Sequence, residues 1–198
     1  MGQFIISVGR EYGSGGHEIA TVLADRFGIP MYDRNMLDQL AERNGIDADE
    51  LHKHEEMKRK GLVRTVRGHS SSIQETIAQI QFDFIREKAE SGESFVVVGR
   101  CAENVLRDNP ALISLFIRGD EDVKVERISR LYKLNKLEAR AKMLRHDKKR
   151  KAYHNYYSSM KWGDSRGYDF CVNSSLMGVE KTAEALYTLL SGFLDSKE

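Results

Sequence analysis

Apolar positions along this 198-residue chain fall into two kinds of run. Short unbroken runs, "FIISV" (Phe4–Val8), "SFVVVG" (Ser94–Gly99) and "ALISLFI" (Ala111–Ile117), lack the alternation of a half-exposed strand and predict strands buried on both faces. Between them the apolar residues recur at helical spacing, as Ile19, Val22, Leu23 and Phe27 do in "HEIATVLADRFG". Helices are likewise predicted for "NMLDQLAERNG", "DADELHKHEEM" and "SIQETIAQIQFDFIREKAESG", and for one long charged region from Asp120 to about Met160. "GIPMYD" reads as a breaker and a short second strand, and "YDFCVNSS" as a last strand. Val179, Ala183, Leu186, Leu190 and Phe193 line one face of a closing helix. The polar, basic, glycine-bearing stretch "KRKGLVRTVRGHSSS" predicts a mobile connection. Strands separated by helices imply one α/β domain over residues 1–198 with a mostly parallel sheet covered on both faces. No repeat or low-complexity tract interrupts it.

Composition changes this picture little but excludes several functions. With 31 basic and 30 acidic residues the net charge is +1, so any anion site must be local and nucleic acid has no global attraction to the chain. No apolar run approaches the ~18 residues of a membrane span. The start "MGQFIISVGR" has no basic segment or cleavage site of a signal peptide. Cys101 and Cys171 are far apart, show no metal spacing and read as buried filler in a reducing cytoplasm. The sequence leaves the oligomeric state open.

In parallel α/β sheets ligands bind beyond the carboxyl ends of the strands. After the first strand stands "GREYGSGGHEIA", four glycines in eight residues, running from a buried strand into a helix N-terminus that attracts anions. The strict P-loop pattern fails at three positions, because Arg10 replaces its first glycine, Gly16 its lysine and His17 its Ser/Thr. The dinucleotide pattern fails at Glu18. Two readings remain at this level, a phosphate nest and a tight structural turn.

"VVVGR" places Arg100 where a buried strand emerges, either as a guanidinium fork for phosphate or in a surface salt bridge. In "YDR", Asp33 and Arg34 offer a carboxylate and a second fork after the short strand, unless Asp33 merely caps a helix. "ARAKMLRHDKKRKAYHNYY" carries seven Lys or Arg between Arg140 and Lys151 against the single acid Asp147. It reads as a solvated helix face, a cationic lid over transferring phosphates, or a nucleic-acid footprint with stacking tyrosines. Asp147 and Arg150, three apart, share a helix face, which favours the lid: the carboxylate can take ribose hydroxyls or orient the arginine. The histidines show no ligand spacing, so no metal site is assigned to the protein. Trp162 reads as a packing anchor rather than a base-stacking platform.

The order "ISVGREYGSGGHEIATVLADRFGIPMYDR", "VVVGR", "DKKRKAYHNYYSSMKWGDSRGYDFCVNSS" resembles the cytidylate-kinase-like branch of the P-loop nucleoside monophosphate kinases, with a degenerate Walker A loop. The resemblance implies a three-layer P-loop kinase fold, a five-stranded mostly parallel sheet and a helical lid. An acceptor-binding helical region would span about 34–92 and the lid about 133–166. Gly13, Ser14, Gly15, Gly16 and His17 would form the phosphate loop, Asp33, Arg34, Arg100 and Asp147 would face the acceptor nucleotide, and Arg145 and Arg150 would act from the lid. The expected activity is ATP-dependent phosphoryl transfer to a nucleoside monophosphate, CMP or dCMP first, with Mg²⁺ arriving on the ATP. Arg10 or a lid arginine would replace the lysine's charge. The alternative from another class is a nucleotide-binding sensor that lost catalysis with the lysine; a nucleic-acid-binding protein is a third.

Overall fold

The computed structural model describes residues 2–33, Leu40 and 70–196. Five strands, β1 (Ile5–Arg10), β2 (Met31–Tyr32), β3 (Phe95–Val98), β4 (Leu112–Arg118) and β5 (Phe170–Asn173), form one all-parallel sheet in the order β2-β3-β1-β4-β5. Its helices are α1 (Gly16–Phe27), α2 (Ser70–Glu90), α3 (Ala102–Val105), α4 (Glu121–Tyr132), α5 (Lys136–Tyr157) and α6 (Val179–Asp195).

Strand β1 is central, and its alternation sorts the core into two layers. Ile6 and Val8, with Val96, Val98, Leu115 and Ile117, pack under α1 and α6. Ile5, Phe95 and Val97 pack on the opposite face against Phe84, Ile85 and Ala89 of α2, with Ala102 of α3. An unbroken apolar run is what a strand covered on both faces requires. After β1 the chain goes to β2 and β3 on one side of it and then crosses to β4 and β5 on the other, so the crevice of a doubly wound sheet opens at the end of β1.

Several expectations are corrected. Phe193 is exposed; Leu194, four residues after Leu190, carries the buried face of α6 instead. The long charged region is helical as expected, and the structure divides it into two helices. Lys133 closes α4 in the left-handed conformation, and Asn135 starts α5 with a capping box, accepting from Glu138 N–H at 2.9 Å while the Glu138 carboxylate accepts from Asn135 N–H at 3.0 Å. Helix α2 begins at Ser70, two residues early. Cys101 is buried, but Cys171 is exposed on the edge strand β5. The predicted helices "NMLDQLAERNG", apart from Leu40, and "DADELHKHEEM" lie outside the described residues, as does most of the basic connection after them. Among the described residues no helix is long and apolar enough to cross a membrane.

The stretch expected to be a lid is rooted in the body of the protein. Ala139 and Met143 of α5 pack on Val125 and Ile128 of α4. Beyond α5, Trp162 meets the ring of Phe116 edge-on at 5.4 Å, the packing anchor expected of it.

Candidate active site

The turn between β1 and α1 is held open by its surroundings. Gly13 (φ 89°) and Gly15 (φ 77°) take left-handed conformations, and a Cβ on Gly15 would lie 2.3 Å from Val179 Cγ2. The N-cap of α1 is Gly15, which has no side chain to cap it, and apart from a long contact of Gly16 N–H with the Ser14 hydroxyl at 3.4 Å the first amides face the turn. The rim is tied down instead. The Ser14 hydroxyl donates to Glu11 O at 2.9 Å, and the buried Ser174 hydroxyl donates to Ser14 O at 2.6 Å. The Glu11 carboxylate accepts from Gly119 N–H at 3.1 Å and from the buried Lys124 ammonium at 2.7 Å. Tyr12 N–H donates to Asp147 Oδ1 at 2.7 Å, joining the turn to α5. Burial raises the Asp147 carboxyl above the usual range, against the pull of that amide and of Lys124.

Three guanidiniums converge at the strand ends. Arg10 ends β1, and its Nη1 lies where a Cβ on Gly99 would come within 2.1 Å. Its stem fills the space beside Gly16, where a Cβ would approach Arg10 Cβ to 2.6 Å. Glycine at the position of the usual loop lysine is therefore a requirement of Arg10, whose own charge enters from the strand. Burial, then Arg150 and Arg100, lower the Arg10 pKa to about 9, which leaves it cationic at neutral pH. Its buried Nε has no hydrogen-bond partner among the described residues. Arg150 Nη1 donates to Arg10 O at 3.1 Å, and burial lowers its pKa as well. Arg100 is aimed by three successive left-handed residues, Gly99 (φ 78°), Arg100 (φ 61°) and Cys101 (φ 53°). Such strain costs about 1–3 kcal/mol per non-glycine residue and collects at functional sites. The Arg100 guanidinium lies 6.0 Å from the centroid of the Tyr153 ring. Beyond burial, Arg150 and Arg100 lower Arg10, and Arg100 lowers Arg150, the electrostatics of a site suited to an anion.

Asp33 and His17 meet at the start of α1, with His17 Nε2 and Asp33 Oδ2 2.6 Å apart. Asp147 is brought to the turn rather than to open space. Arg145 is exposed, its charge reaching Tyr12 and His146 only through space. Arg34 lies outside the described residues.

Beside the turn, a cleft of about 1120 Å³ runs between Gly13, Ser14, Arg127, Arg130, Ser175 and Met177.

Cys101, Glu103 and His154 bring ligating atoms within 4.8 Å of one another in the core. The thiol is pushed up to about 12, first by burial and then by the charge of Glu103, so it is no thiolate at neutral pH. The carboxylate is already served by His154 and lies near Arg10. His154 Nδ1, on the far side of the ring, is buried without a hydrogen-bond partner among the described residues.

Sequence reading missed Glu11, Lys124, Glu103 and His154. Only Glu103, an acid close behind the Gly-Arg that ends a buried strand, carried a local signal. Glu11 and Lys124 are 113 residues apart and nothing in either neighbourhood announces the pair.

Comparison with known proteins places this geometry. The model of the cytidylate kinase-like family matches residues 5–176. No curated protein matches significantly. An uncharacterized protein from Eubacterium ventriosum ATCC 27560 is similar in structure, with 38% identity, a TM-score of 0.76, and 96% of this chain and 99% of that one covered. Shikimate kinase from Bacteroides thetaiotaomicron is similar at 17% identity and a TM-score of 0.55, covering 95% of this chain and 98% of that one. A gluconokinase from Sinorhizobium meliloti 1021 is similar at 16% identity and a TM-score of 0.53, covering 98% and 97%. At that identity the likeness concerns the fold, the three-layer α/β fold of P-loop kinases.

Proposed function

This chain belongs to the cytidylate kinase-like family, and we propose that it transfers the γ-phosphoryl group of ATP to a nucleoside monophosphate, CMP or dCMP first. The observation that carries this reading is the convergence of Arg10, Arg100 and Arg150 beside an uncapped helix start. ATP would lay its phosphates in the turn from Gly13 to His17 and its nucleoside in the adjoining cleft. Arg100 and Asp33 would face the acceptor. An oxygen of the acceptor phosphate attacks the γ-phosphorus, the bond to the β,γ-bridging oxygen breaks, and ADP leaves with that electron pair. Little covalent help is needed, because positioning and charge neutralisation dominate phosphoryl transfer.

Arg10 takes the part of the missing lysine. It is the arginine whose stem fills the lysine's place and whose charge reaches the strand ends. Among the described residues the turn itself offers few oxygen ligands for Mg²⁺. His17 stands at the hydroxyl position and pairs with Asp33, and the Ser14 hydroxyl is spent on Glu11 O. The ion, which neutralises charge on the phosphates, would be held chiefly by the nucleotide, with Asp33, beside His17 at the start of α1, in a position to assist. Two free cysteines fit action in the reducing cytoplasm.

The test is coupled ADP release with ATP, Mg²⁺ and each ribo- and deoxyribonucleoside monophosphate, alongside thermal shifts with the same ligands. Acceptor-dependent turnover is expected. Stabilisation by nucleotides without turnover would leave a binding module that has lost catalysis, and no shift at all would refute both.

A further inference from the structure

A buried carboxylate lies beneath the arginine cluster. Glu103, in α3 at the carboxyl end of β3, has a side chain only 7% exposed. Its Oε1 lies 2.7 Å from His154 Nε2 on α5, and its Oε2 lies 3.5 Å from the buried Ser7 hydroxyl on β1. The Tyr168 hydroxyl stands 3.4 Å from the same imidazole nitrogen. One residue further along α3, Asn104 Nδ2 donates to Tyr157 O at 3.1 Å, where α5 ends. The charge of Glu103 bears on Arg10 and offsets part of the repulsion from Arg150 and Arg100.

His154 is one helical turn beyond Arg150, and Arg150 is one turn beyond Asp147. Those three residues carry the polar contacts of the face of α5 that meets the turn and the strand ends, beyond the apolar contact of Ala139 and Met143 with α4: Asp147 on Tyr12 N–H, Arg150 on Arg10 O, His154 on Glu103. Apolar side chains would fill the same space at less desolvation cost, but they would not fix the helix's rotation. A directional hydrogen bond to a buried carboxylate does. It sets α5 about its axis, and with it the height at which Arg150 and Asp147 reach the turn.

We propose that Glu103 is a positioning residue for phosphoryl transfer, fixing α5 through its hydrogen bond to His154. The inference rests on the function proposed above only for its kinetic readout. The experiment compares the full chain with H154F, H154Q and E103M by amide hydrogen exchange and by kcat and KM for ATP and CMP. H154F and E103M remove the bond, whereas glutamine at 154 can return an N–H donor near the Nε2 position. Exchange over residues 147–157 is expected to quicken about tenfold in H154F and E103M, with α6 unchanged. Their kcat is expected to fall about tenfold with little change in KM for ATP. H154Q should restore both. If E103M does not fold, the two His154 variants carry the comparison.

Wild-type exchange in H154F, acceleration spread equally over α5 and α6, or an H154Q no better than H154F would overturn the proposal. Absence of ADP formation by the wild type would strike the phosphoryl-transfer reading alone, and the exchange pattern would still decide whether Glu103 fixes α5.

Discussion

The carboxylate of Asp147 takes the backbone N–H of Tyr12 at 2.7 Å, which binds the middle of α5 to the turn that would hold phosphate. An acid amid seven cations thus serves the protein's own backbone. Asp147→Ala should cost about 1–3 kcal/mol of stability, because it leaves the part-buried Tyr12 amide without its acceptor, while Lys124 keeps Glu11 at 2.7 Å and loses only the longer 3.9 Å pair. Urea denaturation measures the loss. Asp147→Asn, which keeps an acceptor oxygen, should lose less.

The Tyr12 ring stacks on His146 with centroids 4.2 Å apart and planes within 8°. Burial first, then Arg150, Lys142, Arg145 and Lys149, push the His146 pKa from 6.5 down to about 4. Between those values the unfolded chain binds more protons than the folded one, so stability rises with pH. This contribution is complete above about 6.5 and is lost as pH falls toward about 4. Because the ring is half exposed, the effect should be on the order of 1 kcal/mol. Urea midpoints at pH 4.5 and 7.5 should draw closer together in His146→Phe, which keeps the stack and loses the proton site.

Restoring the lysine of an ordinary P-loop should harm this protein. A side chain at position 16 starts 2.6 Å from Arg10 Cβ and 3.2 Å from Ile117 Cβ. Gly16→Lys should lower stability by about 1–3 kcal/mol, the usual cost of overpacking. Turnover should drop with it as Arg10 is displaced. Thermal melts and ADP release on the purified variant measure both effects.

Arg150→Ala should separate function from folding. Its bond to Arg10 O at 3.1 Å is lost, but so is its repulsion of Arg10 and Arg100. The melting temperature should stay close to wild type while turnover falls about tenfold or more, the worth of one charge-assisted contact.

Much of this fold was legible because buried parallel strands announce themselves. "FIISV", "FVVV" and "LISLFI" are unbroken apolar runs, and each became a strand of the sheet. The break between α4 and α5 was legible too: Asn135 with Glu138 three residues on is a helix-start signal, easily overlooked within a continuous run of charge. Phe193 was misplaced because two neighbouring apolar residues at a helix end satisfy the periodicity equally well, and packing chose Leu194. In the site, Arg10, Arg100 and Arg150 could be found from their positions after strands and in the basic block. That the stem of Arg10 occupies the space beside Gly16 depends on tertiary approach and leaves no local trace. The same holds for Glu11 with Lys124 and for Glu103 with His154, whose partners are joined only by the winding of the sheet.

The central claim is that Arg10 supplies the charge an ordinary P-loop takes from its lysine. Phosphoryl transfer from γ-labelled ATP to CMP, followed as labelled CDP in wild type and Arg10→Met, tests it most directly. The account predicts labelled CDP from the wild type and a rate lower by about a hundredfold or more in the variant, the usual loss on removing one preorganised donor. Transfer by Arg10→Met at the wild-type rate, or no transfer by the wild type to CMP or any other nucleoside monophosphate, would contradict it.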